Sequence, residues 1–232
     1  MNWKSKLKRQ AQRLIPRRVL NRVLLAFPSL YRTRLFEYET NLGKGIGELL
    51  AQLRLASELD GNVIECGSAY CGASVIMAGL LRSLRKAKVV YALDSFQGFD
   101  RAELAREKEA GLTSAPEKSY TSIPFDYVKR KIEKLGFENS VIPVKGYFRE
   151  TLPSVPGGFC FALIDCDLKE SIVYCMENIW PRLARGGRVV IDDYAHAGFK
   201  GARLGVDYVV DKYRNDISEH GFLKRLYYIC KK

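Results

Sequence analysis

The sequence predicts an α/β domain built on a mostly parallel sheet with helices on both faces, and three observations carry that reading. Short apolar runs alternate with helical patterns at regular spacing from Asn62 onward. The first run closes on a glycine-bearing turn, and the second ends in an acid. Two later runs each end in a pair of carboxylates, Asp165 with Asp167 and Asp192 with Asp193. A chain of 232 residues accommodates one sizeable domain of this kind and is too short for two comfortable ones.

The elements follow in order. Trp3, Leu7, Ala11 and Leu14 share one helical face of a basic segment; Pro16 interrupts it, and Val19, Leu20, Val23 and Leu24 resume the pattern up to Pro28. Val63 to Cys66 reads as a buried strand, Ala73 to Leu84 as a helix, and Val89 to Leu93 as a second strand. Residues 100 to 122 are polar and read as irregular, a candidate lid. Beyond them come a helix (Tyr127 to Leu135), strands at Val141 to Val144 and Phe161 to Ile164, and a helix at Ser171 to Leu183. A strand at Arg188 to Ile191, a helix at Ala202 to Tyr213 and one last strand at Leu226 to Cys230 complete the chain. The expected division is a basic helical arm over residues 1 to 36 and a single domain over 37 to 232.

Composition narrows the function. The net charge of +12 is concentrated: ten of the 38 Lys and Arg residues precede the first acid, Glu37, and the other 28 nearly balance 26 acids. Basicity therefore describes the arm, a segment suited to an anionic membrane surface or a partner, and not a nucleic-acid-binding body. Aromatic residues are not interleaved with the arm's charges, so nucleic acid is not an expected partner. No apolar stretch approaches the roughly 18 residues of a membrane span, and no signal peptide is read at the start. Six cysteines without a CxxC pair or a Cys/His cluster argue against zinc and for free thiols, hence a cytoplasmic expectation.

"VIECGSAYCGAS" (63–74) places Gly67 and Gly72 in a GxxxxG spacing, so the GxGxxG dinucleotide fingerprint is absent, and so is a P-loop. Such a turn at a strand end still lets a ligand approach the backbone closely. Glu65 stands inside the strand where an apolar residue would be cheaper, which asks for a polar partner. Asp94 ends the second strand where α/β nucleotide sites place an acid for ribose hydroxyls. Together, without GxGxxG, these features favour S-adenosylmethionine over NAD.

In an open parallel sheet, ligands bind outside the carboxyl ends of the strands. Asp94, Asp165, Asp167, Asp192 and Asp193 all end strands there, so several carboxylates converge beside the nucleotide site. Uncompensated, they repel one another. An oxygen-rich set of this kind suits Mg²⁺ or Ca²⁺. The alternative is that Asp167 and Asp192 cap the helices that follow.

The stretches "IECGSAYCGAS", "YALDSFQGF", "VKGYFRETLP", "LIDCDLKES", "GGRVVIDDYAHAGFKGAR" and "GVDYVV" resemble the macrocin/novobiocin-type (TylF-like) O-methyltransferase family, over about residues 60 to 213. The resemblance implies a Rossmann-like class I fold and S-adenosylmethionine-dependent, Mg²⁺-dependent methylation of a hydroxyl, on a sugar or glycoconjugate with adjacent hydroxyls. It implies Asp165, Asp192 and Asp193 as metal ligands and Asp167 as general base. It places Glu65, Gly67, Gly72, Ser74, Asp94 and Ser95 at the cofactor, with Gly146 and Tyr147 near the adenine, and His196 within reach of substrate. Two positions depart from the family pattern: Lys169 follows the DxDL where an aromatic residue is usual, and Ala69-Tyr70-Cys71 replaces a small–aromatic–Arg run. A catechol-type methyltransferase shares the metal chemistry, and a non-catalytic binding module shares the fold. The acceptor is expected to be a small molecule or glycan, with a homo-oligomer and a peripheral membrane contact through the arm as further expectations.

Overall fold

The computed structural model describes Leu42, residues 45–223 and residues 225–232; the basic arm expected over residues 1 to 36 lies outside them. Its seven-stranded sheet runs in the order β3-β2-β1-β4-β5-β7-β6. The strands are β1 (Asn62–Cys66), β2 (Val90–Asp94), β3 (Val141–Lys145), β4 (Phe159–Ile164), β5 (Leu183–Ile191), β6 (Ile217–Leu223) and β7 (Leu226–Lys231). The first five pair in parallel, while β7 is antiparallel to both β5 and β6. The expected mostly parallel α/β architecture is therefore the one found.

Alternation along the central strands divides the core in two, because successive side chains leave a strand on opposite faces. Val63, Phe161, Leu163 and Val190 join one apolar cluster; Ile64, Cys66, Ala162, Ile164, Val189 and Ile191 join the other. The first is covered by α1 (Ile46–Ala56), α2 (Gly72–Ser83) and α4 (Phe125–Lys134), through Leu49, Leu53, Met77, Leu81, Val128 and Ile132. The second is covered by α6 (Lys169–Ile179) and α7 (Lys200–Lys212), through Ile172, Met176, Ile179, Val206 and Val209. Pro143, which cannot donate to a ladder, is tolerated in β3 because that strand is an edge. All six cysteines are free and buried.

Three expectations are corrected. Residues 100 to 122 are not irregular throughout: Arg101–Glu109 forms a helix, α3, whose N-cap Asp100 accepts the Glu103 N–H at 2.9 Å. A strand, β6, precedes β7, so the chain ends in a hairpin and not in a single strand. The helix read as running to Leu183 stops at Ile179, because Pro181 cannot continue it; a 3₁₀ turn (Trp180–Arg182) leads into β5. A short helix, α5 (Phe148–Thr151), follows β3.

The strand order reverses between β1 and β4, and the carboxyl ends of these two strands open the crevice in which α/β sheets bind ligands. Among the described residues, no helix is long and apolar enough to cross a membrane.

Candidate active site

A cavity of about 560 Å³ occupies that crevice. Glu65, Gly67, Asp94, Ser95, Gly146, Tyr147, Asp165 and Asp167 line it, so eight of the residues singled out in the sequence share one wall system. Gly72 and Ser74 do not line it. Gly72 opens α2, and the Ser74 hydroxyl donates to the Glu65 carboxyl.

The turn after β1 is tight for identifiable reasons. Gly67 has φ +92°, and a Cβ there would stand 1.8 Å from the Asp165 carbonyl oxygen. Only glycine permits this approach of β1's end to β4's end. Ala69 (φ 46°) and Cys71 (φ 55°) are left-handed without being glycine, a strain of about 1–3 kcal/mol each. Two contacts hold them: Asp94 accepts the Ala69 N–H at 2.8 Å, and the buried ammonium of Lys131 in α4 donates to the Tyr70 carbonyl. Asp94 also accepts the Phe96 N–H at 2.7 Å, which leaves each of its oxygens one lone pair for a ligand. Burial raises the Asp94 pKa, and the two backbone hydrogen bonds oppose that rise. Burial also pushes Glu65 up to about 8, against the hydrogen bond from Ser74. Ser95 accepts the Gln97 N–H at 3.1 Å and donates to Gly98 O at 2.6 Å, shaping the loop after β2.

At the other side of the crevice, Asp165, Asp192 and Asp193 each place one carboxylate oxygen within 4.8 Å of the others. Burial first, then the charges of Asp192 and Asp193, raise the Asp165 pKa well above the usual range. Asp167 is raised likewise by burial and by Asp193, whose carboxyl it hydrogen-bonds. Asp167 (φ 61°) and Asp193 (φ 62°) both adopt the left-handed region, which turns the chain at the strand end and which aspartate tolerates better than most residues. Among the described residues, the cation paired with this set is Arg225, at the β6–β7 turn. Its guanidinium grips both oxygens of Asp192, with Nε 3.1 Å from Oδ1, and opposes the rise that burial causes in Asp192. Four carboxylates against one guanidinium leave an acid excess, and three oxygens at this spacing form a hard-donor set that fits a divalent cation.

His196 is exposed and does not line the cavity; its Nδ1 lies 3.1 Å from the Gly198 N–H and its ring tilts on Phe199. Lys169 is exposed at the start of α6. Sequence reasoning missed four residues here: Lys131, Arg225, Glu103 and Glu107. Lys131 was detectable in principle, because it interrupts the buried stripe Tyr127, Val128 and Ile132 of α4. Arg225 carries no local signal, since its partner is distant in the chain.

The Macrocin-O-methyltransferase (TylF) family model matches residues 46–225. The 8-demethyl-8-(2,3-dimethoxy-alpha-L-rhamnosyl)-tetracenomycin-C 4'-O-methyltransferase of Streptomyces olivaceus is 33% identical over 147 residues, 61% of this chain and 56% of that protein. The demethyldecarbamoylnovobiocin O-methyltransferase of Streptomyces niveus is 28% identical over 144 residues, 60% of this chain and 55% of that one. The chain thus spans little more than half the length of these curated relatives. The solved structure of the O-methyltransferase NovP superposes with a TM-score of 0.69 at 22% identity, covering 82% of this chain and 80% of that one, which supports the fold. On a family match that extends from α1 to Arg225, this chain belongs to the macrocin O-methyltransferase (TylF) family.

Proposed function

We propose that this protein transfers a methyl group from S-adenosylmethionine to a hydroxyl of a sugar or glycoconjugate that carries an adjacent hydroxyl, with Mg²⁺ at Asp165, Asp192 and Asp193. The observation that carries the reading is the junction at Asp165. This residue lines the same cavity as Glu65, Gly67 and Asp94, and it belongs to the three-carboxylate cluster. The family and the rhamnosyl group in the tetracenomycin relative's name support a sugar acceptor.

Bound S-adenosylmethionine would supply an already activated methyl group, and bound Mg²⁺ a positive centre for two adjacent hydroxyl oxygens. What remains for the protein is alignment and one proton. The free lone pairs of Asp94 suit a ribose diol. Gly67 lets the ligand lie against the backbone, and Gly146 with Tyr147 lines the wall where adenine is expected. Asp167, buried beside the cluster and on the cavity wall, takes the proton of the acceptor hydroxyl. The segment 100 to 122 covers this space, through Ala102, Glu103, Arg106 and Tyr120 on the cavity wall. For the basic arm, a peripheral contact with an anionic membrane on the cytoplasmic side follows from its composition.

Asp167→Asn is expected to bind S-adenosylmethionine and Mg²⁺ as the wild type does and to lose about 10²–10⁴-fold in methyl transfer. Undiminished turnover in that variant would remove Asp167 from the role of base.

A further inference from the structure

α3 carries two carboxylates one helical turn apart, Glu103 and Glu107, and both are buried. Glu103 accepts the Ser171 N–H at 2.7 Å and the Ser171 hydroxyl at 2.6 Å; Glu107 Oε1 accepts the Lys169 N–H at 2.6 Å. These donors sit in the first turn of α6, the helix that follows Asp165 and Asp167. Leu168, its N-cap residue, offers no side-chain acceptor, so the open N–H groups of α6 are satisfied from another element.

Glu107 reaches a second helix as well. A Cβ on Gly201, in the first turn of α7, would stand 2.3 Å and 2.4 Å from its two carboxylate oxygens. α7 follows Asp192 and Asp193, and its N-cap residue Phe199 also lacks a side-chain cap. Glu107 Oε2, buried without a hydrogen-bond partner among the described residues, lies against this helix start, where the macrodipole favours negative charge. Around it the insert is tied to the same loop: Thr113 donates to Gly198 O at 2.8 Å, and the Lys200 N–H donates to Leu112 O at 2.9 Å.

We infer that Glu107 is a positioning residue that fixes the spacing between the two acid-bearing loops, holding the start of α6 with one oxygen and seating the start of α7 against the carboxylate. Glu103 holds α6 alone. The consequence for metal affinity rests on the cation reading above. Asp165 comes from one loop and Asp192 with Asp193 from the other, so the oxygen cluster keeps its spacing only while the loops keep theirs. Glycine at position 201 belongs to the same device, since any side chain there would displace the carboxylate.

The test uses the full chain in three forms, wild type, Glu107→Ala and Glu103→Ala, with Mg²⁺ titrated calorimetrically in the absence of other ligands. A partner hydrogen-bonded to a ligating side chain is worth about 10–100-fold in metal affinity; Glu107 acts one step further out, through the loops, and a loss of about tenfold is expected for Glu107→Ala. Glu107→Gln, which still accepts from Lys169, should recover most of it. Glu103→Ala should stay within about threefold of wild type, because it frees only one loop. Hydrogen exchange reads the same spacing without metal. Glu107→Ala should raise exchange at both 165–171 and 192–201, and Glu103→Ala at 165–171 alone. Equal Mg²⁺ affinity in wild type and Glu107→Ala, or exchange that rises only in the first loop, overturns the inference. Should the wild type bind no Mg²⁺, the cation reading fails, and the exchange pattern still decides the role of Glu107. If Glu107→Ala does not fold, Glu107→Asp, which withdraws the carboxylate by one methylene, takes its place under the same criteria.

Discussion

Burial on β1, an interior strand flanked by β2 and β4, pushes the Glu65 carboxyl up to about 8. In the unfolded chain the same carboxyl releases its proton near 4.5. Between the two values the folded state binds the extra proton, so this residue's contribution to stability falls as pH rises, by up to about 1.4 kcal/mol per pH unit. The full penalty is present above pH 8, and none of it below 4.5. Glu65→Gln removes the titration. Thermal melts without cofactor should therefore show the variant gaining on the wild type as pH rises from 5 to 8; parallel curves would mean that Glu65 is ionised in the fold. Glu65 was legible because it breaks an apolar pattern inside a strand, and Asp94 and the four late aspartates because they follow apolar runs at strand ends. Lys131 breaks one too, on α4, but its partners Tyr70 and Glu65 become visible only when the helix is laid on the turn. There it brings positive charge to a turn in which Cys71 stands where the family pattern has arginine.

At the scale of elements, hydropathy spoke clearly where one face is buried and fell silent where it is not. α3, with the sequence RAELAREKE, buries Glu103, Leu104 and Glu107, so two of its three inward residues are charged and no apolar stripe marks it. β6 is an edge strand with one neighbour, and Ile217 is the one residue it buries. The helix α1 does carry a stripe, Leu49, Leu53 and Ala56, but lies ahead of the alternating pattern from which the fold was read. The glycine turn, by contrast, was readable because its chemistry is local. Gly67→Ala sets a methyl group against the Asp165 carbonyl in a backbone conformation that alanine rarely adopts. A loss of about 3 kcal/mol or more is expected, measured as the urea midpoint at constant slope. A shift under about 0.5 kcal/mol would show that the two strand ends can move apart freely.

For the whole molecule, the sheet order places the β1 turn and the β4 end side by side, and this converts four separated sequence motifs into one cavity. Alternation of strands and helices made the fold class predictable, since parallel strands need crossovers and crossovers bury both faces. It did not reveal that the 100–122 insert joins both acid loops, because that contact depends on which helix starts lie next to each other. The cofactor half of the site is built from β1, β2 and β3, the acid half from β4 and β5, and Asp165 is common to both. A methyl donor in one half and a diol in the other is the placement that the proposed reaction requires.

The most direct test of that account is calorimetric titration of S-adenosylmethionine into wild type and Asp94→Ala, with Mg²⁺ present and with chelator. The wild type should bind in both conditions, and Asp94→Ala should bind about 10²-fold more weakly, the loss of hydrogen bonds to a charged group. No heat of binding in the wild type under either condition, or equal affinity in the two proteins, would contradict it.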